Sequence, residues 1–257
     1  MEAVIQAGES ALISALNYAP SDKMANYVQK RESTQFFAPG TTYSPSGSKV
    51  IRIDINRSGF LMPDSIVLRA TVRNEGAAGE ILYPLTPDLA CMISEIKVTM
   101  GGTEVERITS YNRIHEMLMR GTSVSKRANL AAMGFGKGTG EDIDGPGSGA
   151  PIAGVSALKV LGRPLCGICN THNYIPLWLL STGVQFEITL VNSAADACIT
   201  SASGVADAAK NSLDWQLEQV SVMCDVISVS SELSESFAQH TLNGRSLTLS
   251  ALRSYTT

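Results

Sequence analysis

Four segments of this chain alternate apolar and polar residues with a period of two, and that alternation restricts the fold more than any other feature. In "KVIRIDI", Ile51, Ile53 and Ile55 alternate with Arg52 and Asp54. In "SIVLRATVR", Ile66, Leu68, Ala70 and Val72 alternate with Val67, Arg69, Thr71 and Arg73. "SEIKVTM" and "VQFEITLV" repeat the pattern through Ile96, Val98 and Met100, and through Val184, Phe186, Ile188 and Leu190. Successive side chains of a strand point to opposite faces, so each segment predicts a strand with one face in a core and one in water. "GGTEVERI" after Met100 supplies a Gly-Gly turn and a return strand. No alternation of strands with helices appears, which argues against a parallel sheet. The predicted fold class is all-β, an antiparallel sandwich.

With 257 residues the chain can bury a substantial core. Its net charge of −4 argues against gripping nucleic acid as a main task, and the first 31 residues form no basic arm. Five cysteines, an odd number at irregular spacing, point to a reducing compartment and free, mostly buried thiols. The start "MEAVIQAGESALISALNYAP" has acids within its apolar run and no basic leader, so no secretory signal is expected, and no apolar run reaches membrane-spanning length. Synthesis and folding in the cytosol or nucleus are expected.

Helical spacing appears in two places. Val4, Ile5, Leu12, Ile13 and Leu16 make a short amphipathic helix that ends before Pro20. It would pack on its own domain or a neighbouring subunit, or touch a membrane surface or partner. "SYNRIHEMLMRG" reads as an inserted helix, with Ser110 as N-cap, Ile114, Met117 and Leu118 on one side, and Gly121 as stop. A Gly-rich stretch containing "GFGKGTGED" follows and reads as a mobile, exposed insertion. "NSAADACITSASGVADAAKNS" is a candidate boundary, after which "DWQLEQVSVMCDVISVSSEL" is strand-like again.

Candidate chemistry is sparse. Cys166, Cys169 and His172 in "LCGICNTHNYIPLWLL" offer three metal ligands at close spacing, but no second CxxC or HxxH completes a set. A redox pair would precede a helix N-terminus, whereas here a Pro-containing apolar run follows. Structural cysteines are the expectation, with Cys166, Cys169 and His172 kept as the one metal candidate, and no cofactor is expected. Lys137 is followed by Gly138 where a phosphate loop needs Ser or Thr, and Ala131 stands where its first Gly should be. His115, His172 and His240 are scattered, with no nucleophile tied to them by motif. "DID" at Asp142 to Asp144 lacks the calcium-loop spacing. Catalysis is not expected, and no catalytic residue is assigned.

The order of these segments resembles the double jelly-roll major capsid proteins of nucleocytoplasmic large DNA viruses, polinton-like and adintovirus-like elements, adenoviruses and some tailless phages. "FFAPGTTYSPSGSKVIRIDI" looks like the strand leading into the roll, and "FLMPDSIVLRATVRN" like the family's second strand. "ISEIKVTMGGTEVERITSYNRIHEMLMRG" is similar to its hairpin and short helix. "LCGICNTHNYIPLWLLSTGVQFEITLVN" resembles the close of the first roll, and "DWQLEQVSVMCDVISVSSEL" with "LNGRSLTL" the opening of the second.

The resemblance implies an N-terminal helix and arm at 1–35, a first jelly roll at 36–200, and a linker with the start of a second roll at 201–257. Residues after Asp214 suffice for only about three strands. The second roll is then partial, or the chain is one roll with a C-terminal hairpin. The implied function is a viral structural protein, self-assembling into trimeric, pseudo-hexagonal capsomers of an icosahedral shell. Implied partners are itself as a homotrimer, neighbouring capsomers, minor capsid or inner-layer proteins and an internal membrane, without sequence-specific nucleic-acid binding. Val4, Ile5, Leu12, Ile13 and Leu16 would make such a partner or membrane contact. The implied location is the virion, assembled in the host cytoplasm or nucleus. A single jelly-roll penton or minor capsid protein is the nearest alternative, and a ligand-binding β-sandwich the more distant one. The sandwich would show exposed aromatics near loop ends, whereas Trp178 and Trp215 both lie in core-like patterns.

Overall fold

The computed structural model describes residues 28–131, 133–136, 150–171, 173–198 and 211–244. The predicted N-terminal helix, with Val4, Ile5, Leu12, Ile13 and Leu16, lies outside them, as do His172, Lys137 and Asp142 to Asp144.

Twelve strands are described: β1 (Val28–Phe37), β2 (Thr42–Tyr43), β3 (Val50–Ile55), β4 (Phe60–Asn74), β5 (Ile81–Leu82), β6 (Ile93–Met100), β7 (Thr103–Thr109), β8 (Ile152–Ala153), β9 (Ala157–Gly162), β10 (Ile175–Pro176), β11 (Val184–Leu190) and β12 (Trp215–Val229). The first sheet runs β1-β12-β4-β10, with β2 also on β12 and β9 also on β4; the second runs β3-β11-β6-β7. The small pair β5-β8 stands apart. All ladders between named strands are antiparallel. Three α-helices join them: α1 (Tyr111–Arg120), α2 (Val124–Ala131) and α3 (Ser231–Leu242).

The alternation seen in the sequence becomes the core. Ile51, Ile53 and Ile55 of β3, Ile96 and Val98 of β6, and Val184, Phe186, Ile188 and Leu190 of β11 face Ile66, Leu68, Ala70 and Val72 of β4 across the sandwich, all buried in one cluster. Each large aliphatic side chain so buried contributes about 1.5–3 kcal/mol. Gly101 and Gly102 turn the β6–β7 hairpin with φ of 57° and 85°. Two consecutive positive φ values fit the two-residue turn that matches strand twist, and only glycine adopts them without strain.

Strand β4 contains Pro63 without losing its place in the sheet. Its pairing with β12 shifts register between Met223 and Asp225, so the residues around Pro63 bulge out of the ladder. Proline, having no N–H, is tolerated at such a bulge. Ser65 closes the gap: its hydroxyl donates to Met62 O at 2.6 Å and accepts from Asp225 N at 2.7 Å. At the other end of β4, fully buried Asn74 acts as a clamp. Its amide donates to Ile152 O at 2.9 Å and Glu80 O at 3.3 Å, and its Oδ1 accepts from Gly76 N at 2.9 Å.

Five local expectations differ from the structure. Residues 215–229 do not open a second roll: β12 lies between β1 and β4 in the middle of the first sheet, so the roll extends past the expected limit of 200. Beside the expected inserted helix α1 stand α2 and α3, and α3 starts within "SSEL", where the sequence predicts strand. On α1 the buried residues are Tyr111 and His115, while Met117 and Leu118 are 69% and 52% exposed. Ser110 does occupy the N-cap position, but its φ is 52° and its side chain makes no capping bond.

The "GFG" of the Gly-rich stretch is also not an exposed loop. Phe135 is fully buried, its N–H donating to Pro87 O at 2.7 Å. A Cβ on Gly134 would lie 2.3 Å from that same carbonyl, so the chain passes too close for any side chain there.

Candidate functional site

Cys166 is the N-cap of a 3₁₀ turn, Gly167–Asn170, that contains Cys169, and both cysteines are fully buried. The turn is held from below by Glu106 of β7, itself 1% exposed, whose carboxylate accepts from Gly167 N at 3.0 Å and Ile168 N at 3.3 Å. Tyr111 of α1 accepts from Leu165 N at 2.9 Å. The Cys166 thiol is pushed well up by its bond to Cys169 and by burial. A metal ligand or nucleophile must be a thiolate, and both the burial and the raised pKa of Cys166 disfavour that form. Among the described residues no three His, Cys, Asp or Glu side chains converge on one point.

The run after the turn divides its roles. Ile175 and Leu177 are buried, but Tyr174 is 48% exposed and Trp178 is half-buried. The segment forms the two-residue β10 and a 3₁₀ turn, Leu177–Leu179, because Pro176 interrupts strand pairing. Trp215 fills the core as expected, at 1% exposure.

Because the strands alternate in direction, the connections sort to two ends. The β1–β3, β4–β6, β7–β9 and β11–β12 connections share one end, here the loop end. The short β3–β4 and β6–β7 turns share the other end with Val28, Val229 and α3. Among the described residues, six of the eleven exposed large apolar side chains (Leu85, Met117, Leu118, Val124, Val155 and Leu213) lie on connections at the loop end.

The loop end also holds a cleft of about 710 Å³ between the β4–β6 connection, α1 and the β11–β12 connection. Thr86, Ser94, Asn112 and Asn192 line it with Arg113 and Arg120, the latter donating to Glu116 at 2.9 Å. Buried Cys91 lies at its floor, its thiol pushed up to about 12 by burial. His115 is buried behind the helix, its Nε2 3.7 Å from Asp88 Oδ2. The cleft therefore offers hydrogen bonds and charge but no activated nucleophile.

The outer faces of the two sheets differ. On the second sheet Arg52 meets Glu187 at 2.7 Å, Glu187 meets Lys97 at 3.7 Å, and Arg107 meets Glu104 at 2.9 Å and Glu95 at 3.7 Å. Each cation there has an acid. On the first sheet one row reads Phe37, Ser221, Arg69, Leu161, and the next Gln35, Met223, Val67. Among the described residues Arg69 and Lys159 on this face make no ion pair or side-chain hydrogen bond.

Counted along the chain with β2 grouped with β1, β10 with β9, and the β5–β8 pair set aside, eight strands remain. The first sheet takes the first, eighth, third and sixth, and the second sheet the second, seventh, fourth and fifth. The fold is a jelly roll. It is similar to a chain of the Sputnik virophage structure, with a TM-score of 0.54 at 12% identity over 84% of this chain and 51% of that one. It is also similar to a chain of the PBCV-1 virus capsid, with a TM-score of 0.51 at 17% identity over 87% of this chain and 47% of that one. The chain spans about half the length of these structures. No protein-family model and no curated protein matches it.

Sequence reasoning placed the roll's core strands but missed the loop-end cleft. Its lining comes from three connections far apart in the chain, and no local pattern of residues marks it.

Proposed function

We propose that this chain is a structural subunit of a viral shell, a major capsid protein whose copies associate into trimeric, pseudo-hexagonal capsomers of an icosahedral capsid. The observation that carries this reading is the two-sheet strand order, matched over 87% of the chain by a chain of the PBCV-1 capsid. The physical properties support it. Two packed antiparallel sheets make a stiff block whose long connections can vary without disturbing the core. Such blocks form closed rings through repeated heterologous contacts. The exposed apolar side chains at the loop end suit contact with other capsid components.

On this reading the chain has no catalytic role, needs no cofactor and does not read nucleic-acid sequence. Its partners are its own copies, adjacent capsomers, minor capsid or inner-layer proteins and an underlying membrane. It resides in the virion after assembly in the host cytoplasm or nucleus. A second roll on the same polypeptide would begin beyond α3.

One observation favours a second reading, a single-roll penton or minor capsid protein: β12 supplies the eighth strand of the roll from within this chain. Light scattering on the purified chain, with negative-stain images of the same peak, separates the two. A trimer with a hexagonal outline is expected. A pentamer would transfer the assignment to the vertex protein, and a monomer that binds sugar would end the capsid reading.

A further inference from the structure

Helices α1 and α3 are each anchored to the roll by one face and leave the other in water. On α1 the anchors are Tyr111, which accepts from Leu165 N, and His115 beside Asp88. On α3 the anchor is Phe237, packed on Phe60 with ring centroids 5.5 Å apart. The free faces differ in charge. Helices α1 and α2 carry Arg113, Arg120, Lys126 and Arg127 against Glu116 alone, although the chain as a whole has a net charge of −4. Helix α3 carries Glu232 and Glu235 and no Lys or Arg. Glu116 is already engaged by Arg120 at 2.9 Å. Among the described residues Arg113, Lys126, Glu232 and Glu235 make no ion pair or side-chain hydrogen bond.

The exposed residues form two stripes. In a helix, residues three, four and seven apart share a face. On α1, Arg113, Met117 and Arg120 follow that spacing and are exposed, and exposed Val124 follows where α2 begins. On α3, Glu232, Glu235, Gln239 and Leu242 do the same, and all four are exposed. Leu242, at 84%, is the most exposed large apolar side chain among the described residues. Each stripe begins with charge and ends apolar. Laid side by side in the same direction, they set Arg113 against Glu232 and Val124 against Leu242.

The two faces lie at opposite ends of the roll, α1 at the loop end and α3 at the end near Val229. Two copies therefore bring them together only in a heterologous contact, each copy offering one face to the neighbour before it and the other to the neighbour after. We propose that copies of this chain join in this way, with the stripe of Arg113, Met117, Arg120 and Val124 in one copy lying against the stripe of Glu232, Glu235, Gln239 and Leu242 in the next. The proposal rests on the self-assembly of the capsid reading and supplies a contact for it. Repeated around a closed ring, the same contact builds the trimer. The opposite charges set its register, and the apolar ends keep water out of it.

The test is sedimentation velocity of the full chain over a range of concentrations, with circular dichroism confirming that each variant is folded. Arg113→Glu and Glu232→Arg should each raise the dissociation constant of the trimer by roughly tenfold, because each brings like charges together. Combining the two substitutions should restore most of the lost affinity, the signature of residues in direct contact. Leu242→Ser should also weaken the trimer. Lys159→Glu, a reversal of the same sign on the outer face of the first sheet, should leave it unchanged. A trimer indifferent to both Arg113→Glu and Glu232→Arg would overturn the proposal and leave the capsid reading standing. Weakening by each without recovery in the combination would also overturn it, since the two residues would then face different partners. A parent chain that stays monomeric at every concentration would overturn both. Recovery in the combined variant of a pentamer would support the contact and end the trimeric reading.

Discussion

Glu106, Asn74 and Asp225 show three ways in which single side chains hold this sandwich together. Glu106 is a buried carboxylate whose charge is spread over two backbone N–H groups of the Cys166–Cys169 turn. Replacing it with Ala would leave both donors unsatisfied, and a loss of about 2–4 kcal/mol is expected in urea unfolding. Asn74→Ala should cost about as much, since three bonds to the β4–β5 turn and β8 disappear together. Asp225 acts at the surface. Its carboxyl is held below the usual range by the Ser33 hydroxyl and then by Arg31. The native state therefore releases this proton more readily than the unfolded chain. The stability it lends is complete above the ordinary carboxylate pKa of about 4 and is lost as pH falls through the depressed native value. Ser33→Ala should lower stability at neutral pH, and the difference from the parent should vanish in acid, measurable by urea titrations at several pH values. Burial also acts on the thiols, pushing Cys91 and Cys224 up to about 12. The folded protein should resist a disulfide reagent at neutral pH and yield all five thiols on unfolding.

At the level of elements, the strands with strict alternation formed where the sequence placed them, because one buried face fixes both period and register. Ile53→Ala in β3 should cost about 2–5 kcal/mol, the range for a large aliphatic side chain truncated in a close-packed core. The segments that misled are those whose state depends on what covers them. Met117 and Leu118 have helical spacing with Ile114, yet α1 turns Tyr111 and His115 inward, towards Leu165 and Asp88. Phe135 sits among glycines that read as loop, and it is buried because Gly134 lets the chain pass against Pro87. For α3 the signal was present, with Ser230 accepting from Leu233 N at 3.5 Å as N-cap and Leu233 spaced four residues from Phe237.

For the whole molecule, the decisive element is β12. It joins β1 to β4 in the middle of the first sheet, although some 180 residues separate it from β1 in sequence. A chain ending at residue 200, the limit the sequence suggested, would lack that central strand and expose both neighbouring edges. It should fail to give a cooperative unfolding transition or dispersed amide signals, whereas a chain ending at residue 244 should retain both. The same long-range closure sends the long connections to one end and the short turns to the other. That sorting produces the loop-end cleft and the apolar surface around it.

By itself, the sequence determined the all-β class, the inward residues of β3, β4, β6 and β11, the Gly101-Gly102 turn and the burial of the thiols. These follow from local periodicity and side-chain chemistry, which are written residue by residue. Only the tertiary structure decided that β12 belongs to this roll, that Phe135 is core, and that Met117 and Leu118 face outward. Each of these depends on which distant segments become neighbours. A pattern of period two says which face of a strand is buried but not which strand lies beside it.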